Sequence, residues 1–437
     1  MSDRPLRLLW ACPYCLLDTS SGASIAIREL LFQLKTMGWD IYILGSTVFD
    51  SEAGTLRLRK DWATIQTHIG KMINVTDGPL EHHLIPVKST NRFAMTTQEE
   101  DIFLGTYTSL LDKFKPDLVF TYGGHGLDYL IADEAADRGI PMTTFLVNGN
   151  YQAKRWCRDI DMILTDSNAT ADFYAERQGF RPKVFGAPIN PNAVLAEKHF
   201  RKNVLFINPS YAKGVGITIT LALLLEDKRP DITFEIIESR GSWKEVLSAV
   251  TKTFGYERKS LKNVIVTPHT TDMRPIYGRA RILLAPSLWY ESFGRVSAEA
   301  MMNGIPAIVS NRGGLPEVTG DGAIKVDFPK ECYEPPYTRL VAPNVLQPVV
   351  DIIERFYDDE AFYEQYCKRA LAQGRRYVAS TVAKRFIEVV KPLTDKRAGD
   401  RDLNSPRLRP NKQVQEKPKE QSSPQEAESA KEEKDTL

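Results

Sequence analysis

Apolar residues along this chain fall into short continuous runs, separated by stretches in which they recur every three or four positions. The continuous runs at residues 6–11, 40–44, 117–121, 142–146 and 162–165 predict strands, and residues 24–37, closed by Gly38, predict an amphipathic helix. A strand that is apolar throughout is covered on both faces, so its alternation with helices predicts parallel sheets. The pattern starts again at residues 203–208 (NVLFIN) with a helix through Leu225, and further strands are predicted at 233–237, 264–266, 282–285 and 306–310. The expected architecture is α/β: two Rossmann-like doubly wound units of about 190 residues each. They join near 186–195, where Pro188, Asn190, Pro191 and Asn192 cluster. Residues 48–97 read as a less regular insertion after the second strand. Residues 349–373 read as one aromatic-rich helix whose stripe belongs to the core, and a last helix is expected around 380–390.

Composition changes this picture mainly at the end of the chain. Residues 396–437 carry ten Lys/Arg, nine Asp/Glu and no aromatic residue, too little apolar surface to offset the entropy of ordering, so a disordered tail is expected. The whole chain of 437 residues has 57 Lys+Arg against 56 Asp+Glu, a formal charge of +1. A protein that wraps nucleic acid needs a large basic surplus, and this one has none. Five cysteines make no disulfide framework, and a reducing cytoplasm is the expected compartment. No run of 18 apolar residues is present to cross a membrane. Residues 8–17 after Arg4 and Arg7 imitate a signal peptide, but Pro13, two cysteines and the following Asp18 favour a buried first strand. Basic and aromatic residues between Arg57 and Lys71 raise a peripheral membrane contact as one reading; a solvated insertion is the reading preferred.

In doubly wound sheets ligands bind beyond the carboxyl ends of the strands, and with two such units the natural site is the cleft between them. The richest loop there runs from Ala285-Pro286-Ser287 through Glu291, Ser292, Phe293, Gly294 and Arg295 into a helix bearing Glu299. Gly294 would let the backbone approach a ligand, and the helix N-terminus offers free N–H groups and a dipole suited to a diphosphate. Glu291 could accept hydrogen bonds from sugar hydroxyls. Glu299, one turn inside the helix, could take two neighbouring ribose hydroxyls.

Two glutamates separated by seven residues, preceded by Pro286-Ser287 and followed by Asn303-Gly304-Ile305-Pro306 and Gly313-Gly314-Leu315-Pro316-Glu317, resemble the family 4, group 1 type glycosyltransferases of the GT-B fold. The likeness runs from about Asn203 to Asp327. It extends more thinly to Ser21-Gly22-Ala23, Pro116-Asp117, Asp166-Ser167 and residues 186–191. It implies a metal-independent, retaining transfer of a sugar from a nucleotide-diphosphate donor, UDP- or GDP-sugar being expected, to a hydroxyl on a glycan, a lipid-linked acceptor or a small molecule. No further cofactor is implied. Residues 1–190 would form the acceptor domain and 191–375 the donor domain, with a helix at 376–395 crossing back and a tail at 396–437. Carried over residue by residue, Glu291 would meet donor-sugar hydroxyls and Glu299 the ribose. The backbone of Ser292, Phe293, Gly294 and Arg295 would meet the diphosphate and sugar. Lys213 would stabilise charge building on the leaving diphosphate. Gly22 would let the loop after the first strand close over the cleft, and Thr19, Ser20 and Ser21 could cap the helix that follows.

Two positions depart from the family. No arginine precedes Lys213 in Phe206-Ile207-Asn208-Pro209-Ser210-Tyr211, which leaves Arg240, Arg274 and Arg295 as candidates for a second positive charge. The histidine often found after the strand at 142–146 is replaced by Val147-Asn148-Gly149-Asn150, which leaves His125 as a candidate to enter the cleft. These departures keep a non-catalytic GT-B binding or scaffold subunit as an alternative, and a sugar-nucleotide epimerase as a further one. Cys12-Pro13-Tyr14-Cys15 is spelled like a redox motif, but residues 16–22 separate it from the helix such a thiol would need, and a coincidental loop is the reading. Asp159-Ile160-Asp161 precedes its strand rather than following it, and His82-His83 lacks partners at ligand spacing, so no metal is expected.

Overall fold

The structure is a computed structural model that describes residues 4–152 and 155–395. The tail expected at 396–437 lies outside the described residues. The first sheet holds β1 (Arg7–Ala11), β2 (Asp40–Ser46), β3 (Ile73–Asp77), β4 (Leu80–Ile85), β5 (Leu118–Thr121), β6 (Met142–Leu146), β7 (Met162–Thr165) and β8 (Lys183–Val184). Its order is β3-β4-β2-β1-β5-β6-β7-β8, parallel except for the antiparallel β3–β4 pair at one edge. The second sheet holds β9 (Asn203–Ile207), β10 (Phe234–Ile237), β11 (Val264–Thr267), β12 (Ala280–Ala285), β13 (Ala307–Ser310) and β14 (Ala323–Val326). Its order is β11-β10-β9-β12-β13-β14, wholly parallel. In each sheet the strand order reverses beside the first strand, at β1/β5 and at β9/β12. Loops diverge there and leave a crevice.

The continuous apolar runs are buried for the reason their pattern suggested. Leu8, Leu9, Trp10 and Ala11 of β1 are each 0% exposed, because helices cover both faces of the sheet. The helix Gly22–Thr36 starts where the Ser21 hydroxyl accepts from the Ser24 amide, and it turns Ile27, Leu30, Leu31 and Leu34 inward.

Four stretches differ from the pattern read in the sequence. Residues 48–97 are not only a loop: β3 and β4 form a hairpin that extends the sheet past β2, with buried His82 of β4 facing Asp77 of β3 at 3.4 Å. The Arg28 guanidinium of the helix Gly22–Thr36 grips the same Asp77 carboxylate, and against the effect of burial His82 and Arg28 together hold that carboxyl well below the usual range. The aromatic stretch at 349–373 is two helices, Pro343–Asp358 and Glu360–Gly374, broken where the Asp359 carboxylate accepts from the Phe362 amide. Short strands β8 and β14 add one edge to each sheet.

The last described helix, Ala379–Thr394, packs on the helix Gly22–Thr36 of the first sheet and inserts Phe386 against Phe120 and Phe185 at ring distances of 5.5 and 5.4 Å. Both chain crossings between the sheets run side by side: the Ile189 amide donates to Tyr377 and the Ala379 amide to Ile189, at 2.9 and 2.8 Å. No helix among the described residues is long and apolar enough to cross a membrane.

Candidate functional site

The carboxyl ends of the two sheets face one another across a cavity of about 580 Å³. From the first sheet it is lined by residues 19–23 after β1, Asp50, Asn148 and Asn150 after β6, and Asp166 after β7. From the second it is lined by Lys213, by residues 238–240 after β10, by His269, and by the loop after β12 with Glu291 and Glu299.

Lys213 ends a single turn, Tyr211–Lys213, after β9, and Gly214 follows in a left-handed conformation at φ 81°. A β-carbon on Gly214 would come within 2.1 Å of the Pro286 carbonyl, so only glycine lets the β9 and β12 loops meet this closely. The amides of Leu288 and Trp289 both donate to the Ala212 carbonyl at 2.9 Å and complete the junction. It puts the Lys213 ammonium on the Glu291 carboxylate, which also accepts from the Ser287 hydroxyl at 2.8 Å. The ammonium is 33% exposed and the carboxylate 15%, so both reach the cavity.

Gly294, at φ 85°, opens the helix Arg295–Met302, and a side chain there would strike Leu315 at 2.4 Å. Gly294, Arg295 and Val296 at the start of that helix line the cavity, and a helix N-terminus is where an anion is favoured. Glu299 lies on its inner face, one oxygen accepting from the Tyr277 hydroxyl at 2.7 Å and the other 2.6 Å from the Arg295 guanidinium. Ser292 and Phe293 are buried beside it, Phe293 edge-on to Tyr377. Gly22 is the first residue of its helix and lines the cavity with nothing within 4 Å of where a side chain would begin. What glycine preserves there is open space.

His125 does not enter the cleft, and the expectation for it is corrected. It caps the helix Gly126–Asp137, outside the residues that line the cavity, and its ring meets Phe93 edge-on at 5.2 Å. Burial and nearby Arg92 push its pKa below the ordinary value. The three arginines considered for a second charge also separate. The Arg295 guanidinium, 12% exposed, lines the cavity but is tied up, donating to Glu29 and to the Pro188 carbonyl at 2.9 Å each. Arg274 pairs with Asp272 away from the cavity. Arg240 lines it too, and spans the cleft to the Ser20 carbonyl at 2.7 Å and Asp50 at 2.8 Å.

Two groups in the cavity had no role read for them in the sequence, although Asp166 stands in the Asp166-Ser167 pair that carries part of the resemblance. The His269 ring meets the Thr19 hydroxyl across the cleft at 3.0 Å, and burial lowers its pKa. Asp166 is 6% exposed, and burial raises its pKa to about 7. Both follow the ends of parallel strands, a signal that applied to every strand could have found them. Cys12 and Cys15 are both 0% exposed, with burial raising both thiols, Cys15 to about 12; such protonated thiols are poor nucleophiles. Asp161 accepts from the Met142 amide at 2.8 Å and Asp159 pairs with Arg158, so each holds its own loop.

Residues 197–370 match the family described as "Glycosyl transferases group 1". The spore coat protein SA of Bacillus subtilis (strain 168) is 32% identical over 128 residues, 28% of this chain and 34% of that protein. The serotype-specific mannosyltransferase WbdA of Escherichia coli is 29% identical over 312 residues, 70% of this chain and 32% of that protein. The alignments thus span about a third of the length of these curated relatives. Among solved structures, Anabaena Alr3699/HepE in complex with UDP and glucose superposes with a TM-score of 0.62 at 13% identity, covering 89% of this chain and all of the other. At that identity the likeness establishes the GT-B fold, the arrangement expected from the sequence.

Proposed function

We infer from the match of residues 197–370 to the group 1 glycosyltransferases that this protein transfers a sugar from a nucleotide-diphosphate donor to a hydroxyl acceptor, with retention at the anomeric carbon and without a metal. The observation that carries this reading is the convergence of Lys213, Glu291, Glu299 and the amino end of the helix Arg295–Met302 on one cavity between the sheets.

The residues divide the work by charge. In the transfer the bond from the anomeric carbon to the diphosphate oxygen breaks and a bond to the acceptor oxygen forms. Negative charge collects on the departing diphosphate, and Lys213 with the first amides of the helix meets it in the cavity, where a positive group already in place needs no reorganisation. Arg240 and Arg295 also line the same space, Arg295 being paired with Glu29 and Glu299. Glu291 accepts from donor-sugar hydroxyls, and Glu299, steered by Tyr277 and Arg295, accepts from the ribose. The acceptor proton passes to the leaving phosphate oxygen as the new bond forms, which requires no protein base. A UDP- or GDP-sugar is the expected donor and a saccharide the expected acceptor, seated on the loops of the first sheet. The solved neighbour that holds UDP and glucose lends support to this choice.

A thermal-shift panel of UDP, GDP, ADP and CMP on wild type and Glu299→Ala tests the reading. A nucleotide at 100 times its Kd should stabilise the fold by about 2.7 kcal/mol. One nucleotide is expected to raise the midpoint in wild type and fail to do so in the variant. No shift with any of the four would sink the assignment.

A further inference from the structure

The loop that presents Glu291 belongs to the second sheet, yet the residues on either side of it are fastened to the first. Before it, the Tyr290 hydroxyl donates to the Ala169 carbonyl at 2.9 Å and its ring packs on Phe173 at 4.8 Å. After it, the Ser292 carbonyl accepts from the hydroxyls of Ser167 and Thr170, and the Ser292 hydroxyl donates to Asp166 at 2.9 Å. Ala169, Thr170 and Phe173 lie in the first turns of the helix Asn168–Gln178, with Ser167 as its cap. From the second domain, Glu317 accepts from the Asn168 amide and side chain at 3.0 Å and from the Ala169 amide at 2.9 Å. The helix therefore has its start capped by one part of the second domain while it grips another.

We propose that Asp166 is a positioning residue for the donor: by holding Ser292 from across the cleft, it sets the loop that presents Glu291. Asp166 is the one ionisable group of the first sheet in this grip, and its buried carboxylate faces hydroxyls, Thr165 on its own strand and Ser292 opposite. The charged and titratable groups around it are Glu317, whose like charge adds to burial, and Tyr290. Either protonation state holds Ser292, since the carboxylate accepts from the hydroxyl and the acid can donate to it. The states differ in charge. An ionised Asp166 puts a buried negative charge on the wall of the cavity that must receive a diphosphate, and its pKa of about 7 places the change in the physiological range. The consequence is a donor site shaped only when the two domains are closed, with donor affinity falling as pH rises.

The proposal rests on the donor reading above, and steady-state kinetics on wild type, Asp166→Ala, Asp166→Asn and Ser292→Ala separate the two. With the nucleotide sugar identified by the thermal panel, Asp166→Ala and Ser292→Ala should each raise the donor KM about tenfold and leave the acceptor KM within about twofold. Asp166→Asn, whose amide oxygen can accept the same bond without charge, should keep the wild-type donor KM at pH 6 and hold it level to pH 8, while wild type weakens over that range. If Asp166→Ala fails to fold, Ser292→Ala tests the same bond from the other side. Donor KM unchanged in Ser292→Ala and in any folded Asp166→Ala, or a wild-type pH dependence kept by Asp166→Asn, would overturn the proposal and leave the donor reading standing. Wild type that turns over no nucleotide sugar would overturn both.

Discussion

Lys213 and Glu291 stand 78 residues apart in the chain, and their contact depends on two neighbours that carry no charge. Gly214 lets the β9 loop come against the Pro286 carbonyl, and the Ala212 carbonyl takes two amides from the β12 loop, so the ammonium arrives at the carboxylate on rigid backbone. A positive group held in place needs no reorganisation when charge develops, which is the source of the catalytic effect proposed for Lys213. Lys213→Ala should therefore lower kcat by about 10²-fold, in line with the loss of one preorganised donor. Its thermal midpoint should stay close to wild type, because the pair is partly exposed and contributes little to stability. A kcat within twofold of wild type would remove Lys213 from the mechanism. At this scale the motif residues Glu291, Gly294 and Glu299 were legible from their spacing along one loop and one helix turn. Asp166 and His269 were not, since a single acid or histidine after a strand gains meaning only from what faces it.

Helix Ala379–Thr394 shows what an element far from the chemistry contributes. It lies on the first sheet, although it follows the second sheet in the chain, and Phe386, 0% exposed, fills the space between Phe120 and Phe185. The crossing that leads to it is hydrogen-bonded to the crossing at Ile189, so the two domains are joined along one line. Truncating a buried phenylalanine costs about 3–5 kcal/mol through lost burial and the cavity left behind. Phe386→Ala should lower the urea midpoint accordingly, with the nucleotide shift retained in the fraction that stays folded; a midpoint equal to wild type would show that the helix does not hold the domains. Elements whose pattern is local were readable in advance: β6 and β7 begin and end where their apolar runs do. The hairpin β3–β4 was not, because its edge position leaves alternating exposed residues and two histidines in place of a continuous apolar run. The break between Pro343–Asp358 and Glu360–Gly374 did carry a signal, the Asp358-Asp359-Glu360 run with a capping aspartate, which the aromatic stripe on either side obscured.

Across the whole molecule the cleft is held shut by pairs that no segment contains by itself. Arg240 reaches Asp50 over 190 residues, Thr19 meets His269 over 250, and Arg295 meets Glu29 over 266. The Arg240–Asp50 pair is partly exposed, and such pairs are typically worth about 0–1 kcal/mol. That is too little to unfold the protein and enough to shift a balance between open and closed domains about fivefold. Arg240→Ala should accordingly enlarge the radius of gyration of the ligand-free protein in X-ray scattering, and the bound nucleotide should reverse the change. An unchanged radius would mean that the hinge contacts alone set the closure. The sequence by itself determined the two doubly wound domains, their order and the loop-to-helix motif at residues 285–299, because continuous apolar strands, helix caps and a loop running into a helix are decided by neighbours in the chain. Only the tertiary structure decided that His125 faces Phe93 instead of the cleft, that Arg295 is tied to Glu29 and Glu299 at the cavity wall while Arg240 spans the cleft to Asp50, and that Asp166 holds Ser292. Those outcomes depend on which loops the packing of two sheets brings together, and a contact closed over a hundred or more residues leaves no periodic trace in the chain.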